Sequence, residues 1–136
     1  MFYRAFARKF YDLQDDLHGW GHIERVLKNC KQIAARLEDK NKINKNLLEI
    51  AVYLHDIGRN PLISEKNHSE NHAVISAALV TKFLKAKHID PEPIAALTHI
   101  IRAHSFSLGE SADNLEAQIL SDADKLSQFP VNWHNL

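Results

Sequence analysis

The run Ala51-Val52-Tyr53-Leu54-His55-Asp56-Ile57-Gly58-Arg59 decides how this chain reads. Residues 47–57 are strongly apolar, which predicts a buried helix, with Gly58 as its stop and Asn60-Pro61 continuing the turn. An imidazole and a carboxylate closing such a helix are poor core residues, because each needs a partner once it leaves water. Successive helix positions lie about 100° apart, so His55 and Asp56 cannot share a face in mid-helix. At a frayed last turn before Gly58, both can converge on a point beyond the helix end. A lone buried histidine is ordinarily bonded to a carbonyl; the adjacent Asp56 shifts the balance toward a site.

Outward from that helix, the chain continues as helix. Phe2, Phe6, Phe10 and Leu13 form a stripe over 2–14, and Ile23, Val26, Leu27, Cys30, Ile33, Ala34 and Leu37 form another over 21–37. The Lys- and Asn-rich stretch from Glu38 to Asn46 predicts a polar loop. Residues 69–86 carry Ile75, Leu79 and Phe83 on one face. Asp90-Pro91 supplies an N-cap and a proline at the first helical position, opening a helix to about His104. Asp113 and Glu116 resemble a capping pair for a last helix over 114–129. No strand alternation, glycine-rich phosphate loop or repeat occurs, so the expectation is one all-α domain over 1–136, a bundle of about six helices.

Composition narrows the function. A chain of 136 residues is long enough for a real core. Seventeen basic residues balance seventeen acidic ones, so neither a nucleic-acid partner nor a membrane partner is expected. Cys30 is the one cysteine, which excludes an internal disulfide, and its place on an apolar stripe suits a small buried hydrophobe. The N-terminal MFYRAFARKFYDLQDD lacks a continuous apolar stretch and reads as neither signal peptide nor membrane span, making a cytoplasmic location the expectation.

Candidate ligands flank His55-Asp56 at long range. His22 opens the second helix after Gly19-Trp20-Gly21; alone it would be a capping or surface histidine. His18 precedes it at the spacing of a helical metal pair, but the glycines between argue against a common helix. Downstream, Ser121-Asp122-Ala123-Asp124-Lys125-Leu126 offers two aspartates. Helical periodicity leans to Asp122, which lies closer to the Ile119, Ala123 and Leu126 stripe, with Asp124 nearer Leu120. Two imidazoles and two carboxylates make a cage for one divalent metal, with positions left for water and substrate.

The ordered set His18-Gly19-Trp20-Gly21-His22, Leu54-His55-Asp56-Ile57-Gly58, His72 to Ala77, Ile101 to Phe106 and Gln118 to Leu126 resembles the HD superfamily of metal-dependent phosphohydrolases, along nearly the whole chain. The resemblance implies a compact all-α fold whose metal ligands are His22, His55, Asp56 and Asp124. It favours Asp124 over Asp122, leaving Asp122 to bond a ligand histidine or cap the helix. The mixed nitrogen and oxygen set suits manganese, iron, nickel or zinc better than magnesium. Such an ion activates water for attack on phosphorus. The expected substrate is a nucleotide or another small phosphorylated metabolite; the alternatives are an alarmone or cyclic-nucleotide hydrolase, and an inactive metal- or nucleotide-binding sensor.

A phosphoryl group also needs cationic neighbours. Arg59 is the first choice for that role, with Arg25 and Lys125 behind it; a salt bridge is the competing role for each. His72 and His104 resemble histidines that serve a second metal in some members. The reading preferred here is contact with phosphate or proton transfer, with Asp56 as the metal-bound catalytic carboxylate. Relatives usually continue for several helices past the final aspartate, whereas this chain ends at Leu136. The expectation is either a minimal version or a pocket completed by a second copy, a homodimer in which exposed Trp133 and Leu136 would suit the contact.

Overall fold

The computed structural model describes residues 2–11, 19–64, 71–105, 108–129 and 131–135. Among these residues seven α-helices follow one another: α1 (Phe2–Tyr11), α2 (Trp20–Arg36), α3 (Lys45–Leu54), α4 (Pro61–Ser64), α5 (His72–Ala86), α6 (Pro91–Ala103) and α7 (Leu115–Leu126). Single 3-10 turns occupy Lys40–Lys42, Ile57–Arg59 and Trp133–Asn135. No strand occurs among the described residues, and no helix there is long and apolar enough to cross a membrane.

Three asparagines set the helix starts. The Asn44, Asn71 and Asn114 side chains accept from the Leu47, Ala73 and Ala117 amides at 3.0, 2.8 and 2.9 Å, satisfying donors that the first turn cannot. The cap of α7 is therefore Asn114 and not Asp113. The Asn44 cap explains why α3 begins at Lys45, inside the expected loop. Asp90 stands before Pro91 as expected, but its side chain makes no capping bond; the preset proline φ opens α6 instead. The short α4 was not foreseen. Asn60 starts it, accepting from the Leu62 amide at 3.0 Å while donating to the Phe10 carbonyl at 3.0 Å.

The middle of the bundle is α3, which packs against α1, α2, α6 and α7. Its Ala51, Val52 and Leu54 are fully buried, with Ile23 and Val26 of α2, Ile100 and Ile101 of α6, and Leu120 of α7. Burying each large aliphatic side chain of this kind stabilises by roughly 1.5–3 kcal/mol. The first helix is clamped twice: Phe6 stacks on Phe83 of α5 at 3.6 Å, and buried Tyr11 donates to the Tyr53 carbonyl at 2.8 Å while accepting from the Asp56 amide at 3.3 Å. Leu13, and the expected extension of this helix to 14, lie outside the described residues.

The 47–57 helix ends at Leu54, earlier than expected, and tightens into the 3-10 turn that holds Gly58. A side chain on Gly58 would meet the His72 carbonyl oxygen and Ser76 Oγ at 2.8 Å each. The glycine lets this turn and α5 touch; the Gly58 amide donates to Ser76 Oγ at 2.8 Å.

Trp133 is half-buried where the sequence suggested an exposed ring. It folds back on its own chain: its indole donates to Asn29 Oδ1 at 3.3 Å, its carbonyl accepts from Arg36 at 2.8 Å, and the Arg36 guanidinium lies 5.1 Å from its ring centre. Leu136 lies outside the described residues.

Candidate metal centre

Four helix ends meet at one buried point. His22 stands in the first turn of α2, His55 caps the C-terminus of α3, His104 caps that of α6, and Asp124 lies in the last turn of α7. Three of these are C-terminal ends, whose unpaired carbonyls carry partial negative charge and favour a cation. Asp56 follows His55 with φ −122° and ψ 12°, out of helical geometry. That change of direction brings the two neighbours to one site, as a frayed turn requires.

The distances are short. His22 Nε2 lies 3.1 Å from Asp124 Oδ1 and 3.7 Å from Asp56 Oδ2, and His55 Nε2 lies 3.4 Å from Asp124 Oδ1. His104 Nε2 is 4.0 Å from Asp56 Oδ1, and its ring meets that of His55 edge-on at 4.8 Å. Two sets of side chains bring ligand atoms within 4.8 Å of one another: His22, His55 and Asp56; and His55, His104 and Asp124.

His55 tests whether this arrangement fits a metal. It is fully buried, and its Nδ1–H donates to the Val52 carbonyl at 2.6 Å. Its Nε2 is buried and makes no hydrogen bond. In the neutral ring a lone pair therefore faces a carboxylate oxygen, two acceptors with nothing between them, and a cation would resolve that conflict. The electrostatics agree. Burial pulls the His55 pKa down, but Asp124 and Asp56 outweigh it and the net shift is upward. Burial raises Asp124, yet contacts with His22 and His55 hold its carboxyl well below the usual range. The negative charge that favours a proton on His55 equally favours a divalent ion. His104, pushed down by burial and by neighbouring His55, stays neutral, and its Nδ1–H donates to the Ile101 carbonyl.

A family model for the HD domain matches residues 19–128. The chain belongs to the HD domain family. Among solved structures it is similar to the crystal structure of a predicted HD superfamily hydrolase from an uncultured Thermotogales bacterium, at 28% identity and a TM-score of 0.73, with 95% of this chain and 68% of that one covered. No curated protein matches.

Other expected residues fall in different places on this HD domain. Asp122 is exposed on α7 and does not reach a ligand histidine; Ser127 has that position, its Oγ 3.2 Å from His22 Nδ1. Ser127 follows Asp124 by one helical turn, the only sequence signal it carried. Arg59 does not reach across open space: its Nε pairs with Asp56 Oδ1 at 3.1 Å, and its side chain stays 31% exposed. His72 opens α5 against the Gly58 turn, half-buried and in neither ligand set. Arg25 and Lys125 are exposed. His18 lies outside the described residues.

Proposed function

We propose that this HD domain is a metal-dependent phosphohydrolase acting on nucleotides or other small phosphorylated metabolites. The observation that carries the reading is that Asp124 lies against both His22 and His55, and Asp56 against His22, beside a buried His55 nitrogen that no protein donor satisfies. Those four residues would hold one divalent ion, manganese, iron, nickel or zinc by the chemistry of the set. When bound, the ion lowers the pKa of water toward neutrality and polarises a phosphoryl oxygen.

The remaining residues supply what an ion lacks. Arg59 holds the Asp56 carboxylate, and its half-exposed guanidinium offers further N–H donors to a phosphoryl oxygen as charge grows there. Neutral His104, 4.0 Å from Asp56, is a candidate to relay a proton to the leaving group. His72 is assigned to the substrate side. Both possible ligand sets require His55 Nε2, whose single lone pair serves one cation, which supports one ion in preference to two.

The test is a hydrolysis screen over nucleotides, phosphomonoesters and phosphodiesters, with metal and after its removal, alongside elemental analysis of wild type, His55→Ala and Asp56→Ala. About one ion per chain in wild type, lost in both variants, with metal-dependent release of phosphate, is expected. Equal metal in all three proteins would refute the ligand assignment; bound metal without hydrolysis of any substrate would favour a sensor. Loading at 100 times Kd should also stabilise the fold by about 2.7 kcal/mol.

A further inference from the structure

We propose that Ser127 is a positioning residue that fixes the tautomer of His22 and ties it to Asp124. The inference rests on the reading of His22 as a metal ligand, but the tautomer itself does not. Ser127 is buried at the C-cap of α7. Its Oγ lies 2.6 Å from the Asp124 carbonyl oxygen and 3.2 Å from His22 Nδ1.

A hydroxyl has one proton. Two oxygens 2.6 Å apart, one a carbonyl, need that proton between them; otherwise lone pairs face each other in a buried site. The Ser127 proton therefore goes to the Asp124 carbonyl. The contact with His22 is then made by an Nδ1–H donated to Oγ. In the neutral ring Nε2 then keeps its lone pair, which faces Asp124 Oδ1 and Asp56 Oδ2.

The other two histidines of the cluster reach the same state by another route. His55 and His104 each donate Nδ1–H to a carbonyl three residues earlier in their own helix. His22 sits in a first turn, where carbonyls point into the helix, and the Gly19 carbonyl three residues before it accepts from the Ile23 amide at 3.2 Å. Its Nδ1 instead meets an oxygen from another helix, Ser127 Oγ, at 3.2 Å. Because the same oxygen is bonded to the backbone of Asp124, it also sets the end of α7 against the start of α2. Second partners of this kind change metal affinity by about 10–100-fold.

Four proteins decide the matter: wild type, Ser127→Ala, Ser127→Thr and, as a control for the metal reading, His22→Ala. Threonine keeps the hydroxyl, and Ser127 borders a cavity of about 150 Å³ with Asn29 and Trp133. Nitrogen-15 NMR of the metal-free proteins reads which nitrogens of His22 carry a proton, Nδ1 being the one that decides, and titration with Co²⁺ reads affinity. Expected are Nδ1–H in wild type, loss of that single tautomer in Ser127→Ala with about 10–100-fold weaker Co²⁺ binding, and recovery of both in Ser127→Thr. An Nε2–H tautomer in wild type, or an alanine variant unchanged in both measurements, would overturn the proposal. If wild type binds no Co²⁺, or His22→Ala binds it as well as wild type does, the metal reading fails, and the tautomer spectra still decide the role of Ser127.

Discussion

Gly58→Ala should destabilise this protein, although general chain entropy argues the opposite. Gly58 is not in the left-handed region, so alanine there would ordinarily gain about 0.4–1 kcal/mol by restricting the unfolded chain. Space reverses the sign. The new Cβ would stand 2.8 Å from the His72 carbonyl oxygen, 2.8 Å from Ser76 Oγ and 3.0 Å from Ile75 Cβ. The serine can rotate, at the expense of its bond to the Gly58 amide, which contributes about 1 kcal/mol; the helical backbone oxygen cannot. Overpacking of this kind costs about 1–3 kcal/mol. The net loss should be about 2 kcal/mol, or about 7 °C in Tm for a chain of this length. Gly21→Ala is the control: its Cβ would meet only the mobile Arg25 Nη1, at 3.5 Å, and should leave Tm level or raise it by a few degrees, at about 0.5–1 kcal/mol. Thermal melts of the metal-free proteins by circular dichroism measure both. A Gly58→Ala variant melting at or above wild type would refute the close approach of α5 to this turn.

Asp124→Asn should weaken metal binding severely, whereas exposed Asp122→Asn should stay within about 0.5 kcal/mol of wild type; the reverse order in a metal titration would reassign the ligand. Arg59→Ala should keep its fold but, with the Asp56 carboxylate left without this partner, bind metal up to about 10–100-fold more weakly; at saturating metal it should lose about a hundredfold in kcat/KM, about 2.7 kcal/mol, and Arg59→Lys should recover part of it. Unchanged kcat/KM in the alanine variant, on the substrate found by the screen, would leave Arg59 only its ion pair with Asp56. Burial, with a smaller push from Asp124, raises the Cys30 thiol from 9.0 to about 12. The folded state then keeps a proton that the unfolded state releases, so this stability is present below about pH 9 and is lost as pH rises toward 12. Urea titrations near pH 10.5 should show wild type losing about 2 kcal/mol more than Cys30→Ala does, relative to neutral pH; equal losses would contradict the burial of the thiol.

The helices were legible because their apolar faces repeat at helical spacing, as in Ile23, Val26 and Cys30, which the structure buries together. Their ends were less so. Asp113 and Asn114 are both good caps, and only the fold shows which side chain reaches Ala117. The four residues of α4 are too few for periodicity to register. At the site, His55 and Asp56 were legible because an adjacent charged pair contradicts its apolar helix. Periodicity leaned to Asp122, which is exposed; Asp124, at the edge of the stripe and near the helix end, is the one that reaches His22 and His55. Ser127 was illegible because its role depends on where α7 crosses α2. The apolar tail pointed outward in sequence for a similar reason, since composition cannot say whose surface Trp133 covers.

Tyr11 gives this domain a boundary that differs from the family match. The match begins at residue 19, after α1 has ended, yet the Tyr11 hydroxyl bonds the Asp56 amide and the Tyr53 carbonyl. Nearby, Asn60 holds the Phe10 carbonyl. A segment trimmed to the matched residues would retain all four candidate ligands and still lose the hydroxyl that braces the backbone beneath one of them, in a buried place where each backbone polar group needs a partner. The inheritable unit of sequence and the mechanical unit of the site thus differ by one helix. Grafting or dissecting this centre should take its limits from the second.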